Sequence, residues 1–371
     1  MPNVSRCFYF GRYYDSATNV IVFTFFILYL LSIRHYHGLS YRDPTSFFFD
    51  ADRAYERRYS SKRVKEASIF IGNAGEVMPL TRDLGEQPIL CVGIVSVRRR
   101  GDQFVGLTVG SLLESLSESE RRKMLLYLRI ADTNPADHPI YSEKWVEMLP
   151  DRLLTYSKDN PDSDQLQKWE KDGCGAEYIA MLEDDTLAAK GCFPSTMQAL
   201  HIVQQHTVGR DWIYLRLFYI DGLLGWNSEE WPNYLAWSFI IWAAFTGAIV
   251  AFKRKFKNKL RSIPSSLIWL ISCVFIPAAI GLHFMAGRQT MWPLSPGVHE
   301  MNRYGCCSQG LVFPRAMVPR FLEHTDLTTD WGWWAVVPPL LQHIGSTSSK
   351  GYGFDNSASM VWNFRFEEYP T

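Results

Sequence analysis

Three adjacent carboxylates, Glu183, Asp184 and Asp185, are the residues of this chain whose type and spacing most clearly suggest chemistry. This acidic triplet follows the apolar run 178–182, which predicts a β-strand, and in open α/β sheets ligands bind beyond the carboxyl ends of the strands. Adjacent carboxylates repel one another unless a cation neutralises them. Their hard oxygens suit Mg²⁺ or Mn²⁺, which also bind substrate phosphates. The triplet therefore predicts a metal site for a diphosphate, with a solvated acidic turn as the alternative.

The segments that must position the triplet alternate between strand and helix patterns. The β-branched run 89–97 predicts a buried parallel strand, and the apolar spacing in 107–116 predicts a helix. Further predicted strands cover 124–130, 151–156, 178–182 and 212–218, and further predicted helices cover 165–171 and 196–206. This alternation predicts βαβ units in an α/β fold with a mostly parallel sheet.

Three apolar segments without charge, 19–33, 234–252 and 263–287, are long enough to suggest membrane spans. The first predicts an anchor rather than a cleaved signal peptide, because the residues that follow it, Arg34 to His37, contain no small-residue cleavage pattern. The other two flank the basic loop 253–261. They predict a transmembrane hairpin with a cytosolic loop, and buried core helices are the alternative.

These spans predict how the chain is organised. Because both ends of a hairpin lie on one side of the membrane, the segments before and after it can form one α/β domain on the non-cytosolic side. The predicted parts are a cytosolic tail at 1–18, an anchor at 19–33, a stem or juxtamembrane region at 34–87, the first part of the domain at 88–233, the hairpin at 234–287 and the second part of the domain at 288–371. The region 34–87 is expected to be a solvated stem, with a juxtamembrane helix at 50–65 as the alternative.

Composition excludes several classes of function. The chain has 38 basic and 38 acidic residues, so its charge gives no reason to expect a nucleic-acid partner. None of the seven cysteines forms a CxxC pair, which argues against a zinc ribbon or a thioredoxin-like motif. In a secretory lumen some of them could form disulfides, but their pairing cannot be read from the sequence.

The acidic triplet, together with the segments 94–98, 299–314 and 341–346, resembles glycosyltransferases of the GT-A fold. Within that fold the chain is similar to the Golgi family that adds N-acetylgalactosamine to the glycan of GPI anchors. A hairpin inserted in the catalytic domain is peculiar to that family, and the chain has one at 234–287. The resemblance covers about residues 88 to 346 and the anchor.

The resemblance implies a multi-pass Golgi membrane enzyme with a lumenal catalytic domain. Such an enzyme moves a sugar, here N-acetylgalactosamine, from a UDP-sugar donor to GPI-anchored proteins or GPI glycolipids beside membrane lipid, with Mn²⁺ or Mg²⁺ as the cofactor. Galactose or N-acetylglucosamine would need the same contacts to metal and diphosphate. The residues themselves do not distinguish the three sugars.

The resemblance also implies roles for individual residues. The implied metal ligands are Asp185, Glu183 and His343. The implied nucleotide-sugar contacts are Arg98, Glu183, Asp184, Ser308, Gln309 and Gly310. In an inverting displacement a carboxylate takes the proton of the acceptor hydroxyl, and the implied residues are Asp330 first, then Asp326 and Glu323.

Alternatives from other classes stay open at the level of sequence. N-glycan-branching N-acetylglucosaminyltransferases are similar in the segments 306–310 and 342–345 but lack the hairpin. A non-catalytic membrane scaffold of GT-A shape is a second alternative. A small transporter is a third, although its spans contain no Asp, Glu, Lys or Arg and His283 is their only candidate for an ion path. Three tryptophans, Trp331, Trp333 and Trp334, are expected to pack the core rather than stack on sugars.

Overall fold

The computed structural model describes residues 16–76, 87–155, 175–258, 264–301, 308–323, 331–345 and 362–371. The chain forms two compact units. The helical unit combines Met1–Ala54 with Leu224–Pro293, and the sheet unit combines Tyr55–Leu223 with Leu294–Thr371.

The helical unit contains the predicted membrane segments. Among the described residues, three helical segments are long and apolar enough to cross a membrane: Thr18–Leu39, Ser228–Lys255 and Ser265–Met285. Many of their large apolar side chains are exposed, as expected of surfaces that face lipid. The structure thereby confirms an apolar N-terminal helix and two further apolar helices, and the first helix, Ser16–Leu39, is longer than the predicted 19–33.

The second hairpin helix changes pitch along its length. It starts as the α-helix Ser265–Leu270, continues as the π-helix Ile271–Phe275 and returns to the α-helix Ile276–Met285. Pro277 in its last section has no N–H for a regular helical hydrogen bond, and a π-turn is one way for a helix to accommodate such a defect. The remaining helices of this unit are Ala51–Ala54, Trp231–Lys255 and Arg288–Met291, with a 3₁₀ turn at Ser228–Glu230.

Contacts between aromatic rings and backbone join the three long helices. Phe25 of the first helix stacks on Phe275, with ring centroids 3.8 Å apart. The indole Nε1 of Trp242 donates a hydrogen bond to the carbonyl of Ser272 over 2.7 Å. These contacts link the N-terminal helix and both hairpin helices within one unit.

The sheet unit is built on eight described strands. Their spatial order is β3 (Arg152–Thr155), β2 (Met124–Ile130), β1 (Leu90–Ser96), β4 (Tyr178–Glu183), β8 (Gly310–Pro314), β6 (Trp212–Arg216), β9 (Gly332–Val337) and β7 (Gly297–Glu300). The first four strands are parallel, β8 is antiparallel to both of its neighbours, β6 and β9 are parallel, and β7 is antiparallel to β9. This confirms the predicted α/β fold, and both hairpin helices lie in the chain between β6 and β7.

A second, two-stranded sheet pairs β5 (Thr186–Ala188) with β10 (Leu341–His343) in antiparallel orientation. His343 lies opposite Thr186 in this register. The small sheet therefore brings the residues after the acidic triplet beside the only described histidine of the segment 331–345.

Helices of the sheet unit cover both predicted and unpredicted segments. They are Tyr59–Gly72, Val105–Leu113, Glu118–Lys123, Lys144–Met148, Cys192–His206 and Val318–Glu323. Short 3₁₀ turns cover Ala74–Glu76, Pro135–Asp137, Asp221–Leu224, Arg315–Met317 and Phe364–Glu368. The helix predicted at 165–171 lies outside the described residues.

The structure differs from the solvated stem predicted at 34–87. The Tyr59–Gly72 helix belongs to the sheet unit, and its Arg63 side chain is fully buried. Arg63 donates hydrogen bonds to the carbonyls of Ala188 (3.0 Å) and Ser111 (2.8 Å) and ion-pairs with Glu114 at 2.7 Å. The segment is basic in composition, but the charge of Arg63 is paired inside the protein instead of being solvated.

Two buried tryptophans and a disulfide-bonded cysteine lie on strands of the large sheet. Trp333 and Trp334 on β9 are both 7% exposed, which confirms that they pack in the interior. Cys91 on β1 is disulfide-bonded, whereas Cys192 is a free, buried thiol.

Candidate metal centre and active site

The acidic triplet lies where the large sheet passes into the small one. Glu183 ends β4, Asp184 and Asp185 form the connection, and β5 begins at Thr186. The Thr186 hydroxyl donates to the Glu183 carbonyl over 3.0 Å, and the Thr108 hydroxyl donates to the Asp184 carbonyl over 2.9 Å. Asp184 and Asp185 are only 6% and 4% exposed, which excludes the alternative of a solvated acidic turn.

Both carboxylate oxygens of Asp184 are engaged by the protein. The Ser96 hydroxyl, at the end of β1, donates to Oδ2 over 2.6 Å, and the Arg99 guanidinium binds Oδ1. The register places Val95 of β1 beside Glu183 of β4, so the next residues of the two parallel strands meet. Asp184 is thus a fixed anion at the edge of the sheet.

His138 supports this arrangement from behind Ser96. The backbone N–H of Ile140 donates to its Nδ1 over 3.3 Å, so the neutral ring carries its proton on Nε2, 3.1 Å from the Ser96 hydroxyl. A hydrogen-bond chain therefore runs from His138 through Ser96 to Asp184. Burial lowers the pKa of His138, and the nearby charge of Arg98 lowers it further. The charges of Asp132 and Asp184 and a hydrogen bond to the Val97 backbone oppose this shift.

Asp185 is held through one carboxylate oxygen and through its backbone. Its Oδ2 lies 3.1 Å from Nε2 of His343 and 2.9 Å from Nη2 of Arg99, and its carbonyl accepts the N–H of Ile344 over 2.9 Å. Burial raises the pKa of Asp185, but the hydrogen bond and charge of His343 and the charge of Arg99 outweigh burial, so the net shift is downward. Asp185 is therefore an ionised carboxylate.

Arg99 neutralises part of the negative charge of the triplet. Burial lowers the pKa of its guanidinium, but the hydrogen bond to Asp184 and the charge of Asp185 raise it by more. Arg99 is consequently a permanent cation that binds both aspartates.

A close backbone approach fixes the position of the Asp185 carboxylate. A Cβ atom on Gly345 would lie 2.1 Å from Oδ2 of Asp185, far inside van der Waals contact. Only glycine can occupy this position without displacing the carboxylate.

The ligand atoms of Glu183, Asp185 and His343 lie within 4.8 Å of one another, close enough to surround one small cation. Two carboxylates and an imidazole are a donor set that suits Mn²⁺, and carboxylates also suit Mg²⁺. The Oδ1 atom of Asp185 is buried and has no hydrogen-bond partner in the part of the chain that the structure describes. A buried acceptor without a donor is costly, and a bound ion is one of the few explanations for it. The residues present fit a divalent cation.

The three predicted sugar-contact residues lie beside Glu183. The Ser308 hydroxyl donates to Oε1 of Glu183 over 2.7 Å, and the carbonyl of Gln309 accepts the Glu183 N–H over 3.1 Å. Gly310 begins β8 opposite Leu182, and a Cβ there would lie 2.2 Å from Cδ1 of Leu341. The structure brings this segment to the triplet, and its contact with a sugar stays a prediction.

Other predicted residues are not brought to the triplet by the described contacts. The Arg98 side chain is exposed, and its backbone N–H donates to Asp132 over 3.0 Å. Glu323 ends the helix Val318–Glu323, while Asp326 and Asp330 lie outside the described residues. The identity of the catalytic base stays a prediction.

Sequence reasoning missed Arg99, Ser96, His138 and Gly345. A polar residue at the end of the buried run Leu90–Ser96 was an available signal for Ser96, because ligand sites lie at the ends of such strands. Arg99 was hidden among three consecutive arginines. His138 and Gly345 meet the site only through tertiary packing, so no local pattern marks them.

Comparison with known proteins identifies the family. The chain matches the model of the GPI-N-acetylgalactosamine transferase PGAP4 family over residues 90–330, well over half of its length. The matched range contains the acidic triplet and both hairpin helices and ends before His343. No curated protein matches the chain. The chain therefore belongs to the GPI-N-acetylgalactosamine transferase PGAP4 family, and it is a glycosyltransferase.

Proposed function

We propose that this glycosyltransferase moves N-acetylgalactosamine from a UDP-sugar to the mannose-containing glycan of GPI anchors, at a divalent-cation site formed by Asp185, Glu183 and His343. Family membership supports the reaction class and the GPI acceptor. It also favours this activity over the N-glycan-branching, scaffold and transporter alternatives. The observation that carries the cation site is the set of ligand atoms from Glu183, Asp185 and His343, which lie within 4.8 Å of one another. The buried Oδ1 of Asp185, which has no hydrogen-bond partner among the described residues, also favours a cation there.

In this proposal the three carboxylates have different roles. A bound Mn²⁺ or Mg²⁺ would neutralise the donor diphosphate and the charge that develops on it as the sugar leaves. Asp184 has both oxygens bound by Ser96 and Arg99, so it serves as a fixed anion near the nucleotide rather than as a metal ligand. The Ser308 hydroxyl donates a hydrogen bond to Oε1 of Glu183, which links the proposed metal site to the segment predicted to contact the sugar.

Proton transfer from the acceptor is assigned to a carboxylate of the segment 323–330. Inverting displacement needs a base on the acceptor hydroxyl, and Asp330 is the first proposal, followed by Asp326 and Glu323. The location is proposed to be the Golgi membrane, with the sheet unit in the lumen.

A transfer assay on the full chain in detergent tests the proposal. It offers UDP-N-acetylgalactosamine, UDP-N-acetylglucosamine and UDP-galactose, a GPI-glycan acceptor and an N-glycan acceptor, each with Mn²⁺ or with a chelator. We expect transfer from UDP-N-acetylgalactosamine to the GPI glycan alone, abolished by the chelator and by Asp185→Asn. The control Glu118→Gln changes an exposed carboxylate and should transfer like the wild type.

Each part of the proposal can fail separately in this assay. Transfer that persists in the chelator and in Asp185→Asn contradicts the cation site. Transfer from a different UDP-sugar contradicts the assigned donor. Absence of transfer from every UDP-sugar, in protein that unfolds cooperatively on heating, contradicts the UDP-sugar donor itself.

A further inference from the structure

The helical unit contains an apolar groove of about 860 Å³ between its three long helices. Residues of all three helices line it: Phe25, Trp237, Ile241, Phe245, Phe275 and Ala279. Trp237 and Phe245 are 64% and 59% exposed, so the groove opens to the surroundings of the helices. Because these helices are the predicted membrane spans, the surroundings are lipid.

The groove extends about as far as one leaflet of a bilayer. Its lining runs along the second hairpin helix from Ile271 to Phe284, which is roughly 20 Å at 1.5 Å per residue. Half of a hydrocarbon core is about 15 Å thick. The π-helix Ile271–Phe275 contributes the deep end of the groove, and π-turns often occur at functional sites.

Aromatic rings mark one end of the groove as the membrane interface. Trp226 contacts Trp292, Tyr234 and His283, with ring centroids 5.3 to 5.6 Å apart. Its Nε1 donates to the carbonyl of Phe284 over 3.0 Å. Amphipathic rings of this kind lie at the level of lipid headgroups. The basic residues that end the helix Trp231–Lys255 are at its opposite end, so the groove belongs to the leaflet on the other side from the basic loop.

Size and polarity select an acyl chain as the occupant. The groove is about as long as one leaflet and its lining is almost entirely apolar, which matches a single hydrocarbon chain. A non-helical peptide would bring backbone groups that find no partners at this depth. An acyl or alkyl chain is narrow and has no polar groups to satisfy.

We propose that this groove binds a hydrocarbon chain of the phosphatidylinositol moiety of the GPI acceptor. The proposal rests on the proposed function, because it is the GPI acceptor that brings such a lipid. Binding the lipid in the helical unit while the glycan reacts raises the effective concentration of the glycan without any new contact to the sugar. Acceptor choice would then depend on the lipid as well as on the glycan.

The first test is photocrosslinking of the full chain with a GPI glycolipid that carries a diazirine on its acyl chain. We expect labelled peptides from 21–28, 234–245 and 271–284. Ala279→Phe, which fills the groove, should abolish this label. Ala243→Phe is the matched control, because Ala243 is exposed on a hairpin helix and does not line the groove. Equal labelling of the two variants, or labelling spread evenly over residues that line the groove and exposed residues that do not, overturns the proposal.

The second test compares the KM for a lipid-bearing GPI acceptor with the KM for the same acceptor after a phospholipase has removed its lipid. The ratio of lipid-free to lipid-bearing KM should fall roughly tenfold in Ala279→Phe and stay at the wild-type value in Ala243→Phe. An unchanged ratio in Ala279→Phe contradicts the lipid site. If the protein transfers to neither acceptor, the proposed function has failed, and the crosslinks alone decide whether the groove binds the lipid.

Discussion

At the scale of single residues, the acidic triplet divides into anions with different tasks. Asp184 is saturated by Ser96 and Arg99, whereas Asp185 keeps one buried oxygen without a donor. Three adjacent carboxylates in the sequence thus give one fixed anion, Asp184, and two carboxylates, Glu183 and Asp185, that we propose as metal ligands. The difference comes from which neighbouring strand ends beside each carboxylate.

A substitution at Gly345 tests how precisely the Asp185 carboxylate must be positioned for activity. Gly345→Ala puts a methyl group 2.1 Å from the present position of Oδ2, so the carboxylate must move by about an ångström. Misplacement of that size costs roughly 10²-fold in rate. We expect kcat/KM to fall by about this factor. Gly101→Ala, where an added Cβ meets nothing within 4 Å, should keep wild-type kcat/KM, and equal activity of the two variants would show that the approach is unimportant.

His138 predicts a dependence of stability on pH. Its folded-state pKa is lowered, chiefly by burial, so below its unfolded pKa near 6.5 the unfolded chain binds more protons than the folded chain. Stability should therefore fall as the pH decreases through about 6.5. His138→Gln, whose amide can still donate to Ser96, should lose less stability between pH 7.5 and 5.5. The exposed His201→Gln is the control, and chemical unfolding at both pH values is the measurement.

At the scale of elements, the small sheet is the part that joins distant segments at the site. Its β5 follows the acidic triplet, and its β10 brings His343. A cluster of Leu187, Ile344, Phe366 and Tyr59 packs behind it. The Tyr59–Gly72 helix and the C-terminal segment therefore pack against the small sheet that positions Asp185 and His343.

A substitution of Arg63 tests whether the helix Tyr59–Gly72 stabilises the sheet unit. Arg63→Ala leaves Glu114, Glu66 and two carbonyls without their buried partner, and such losses cost about 3 kcal/mol or more. We expect the free energy of unfolding in detergent, measured by tryptophan fluorescence, to fall by that amount. Lys62→Ala, on the exposed face of the same helix, should change it by no more than about 0.5 kcal/mol. If both variants have the same stability, the buried cluster does not stabilise this unit.

Elements with a strong local pattern were predictable, and those that depend on tertiary packing were not. The run 89–97 became β1 at Leu90–Ser96, and 124–130 became β2 within the same bounds, because β-branched and apolar runs between polar turns leave few alternatives. The sequence does not show that the helix Tyr59–Gly72 belongs to the sheet unit, because Arg63 has its partners on the distant residues Ser111, Glu114 and Ala188. The family resemblance implies His343 as a metal ligand. It implies a nucleotide-sugar contact for Arg98 and no role for its neighbour Arg99.

For the whole molecule, the charges at the ends of the membrane helices predict on which side of the membrane each segment lies. Lys253, Arg254 and Lys255 end the first hairpin helix, and cationic ends of spans face the cytosol. Trypsin added to sealed Golgi vesicles should therefore cut the hairpin loop and leave the sheet unit intact until detergent opens the vesicles. Cleavage within Leu90–Gly110 before detergent is added would place the sheet unit in the cytosol and contradict the proposed orientation.

Mn²⁺ binding to the purified full chain is the most direct test of whether Glu183, Asp185 and His343 hold a divalent cation. Electron paramagnetic resonance in the presence of UDP reports bound Mn²⁺ without requiring transfer. We expect saturable binding to the wild type and to Glu118→Gln, and its loss in Asp185→Asn and in His343→Gln. Wild-type affinity for Mn²⁺ in folded Asp185→Asn would contradict this cation site.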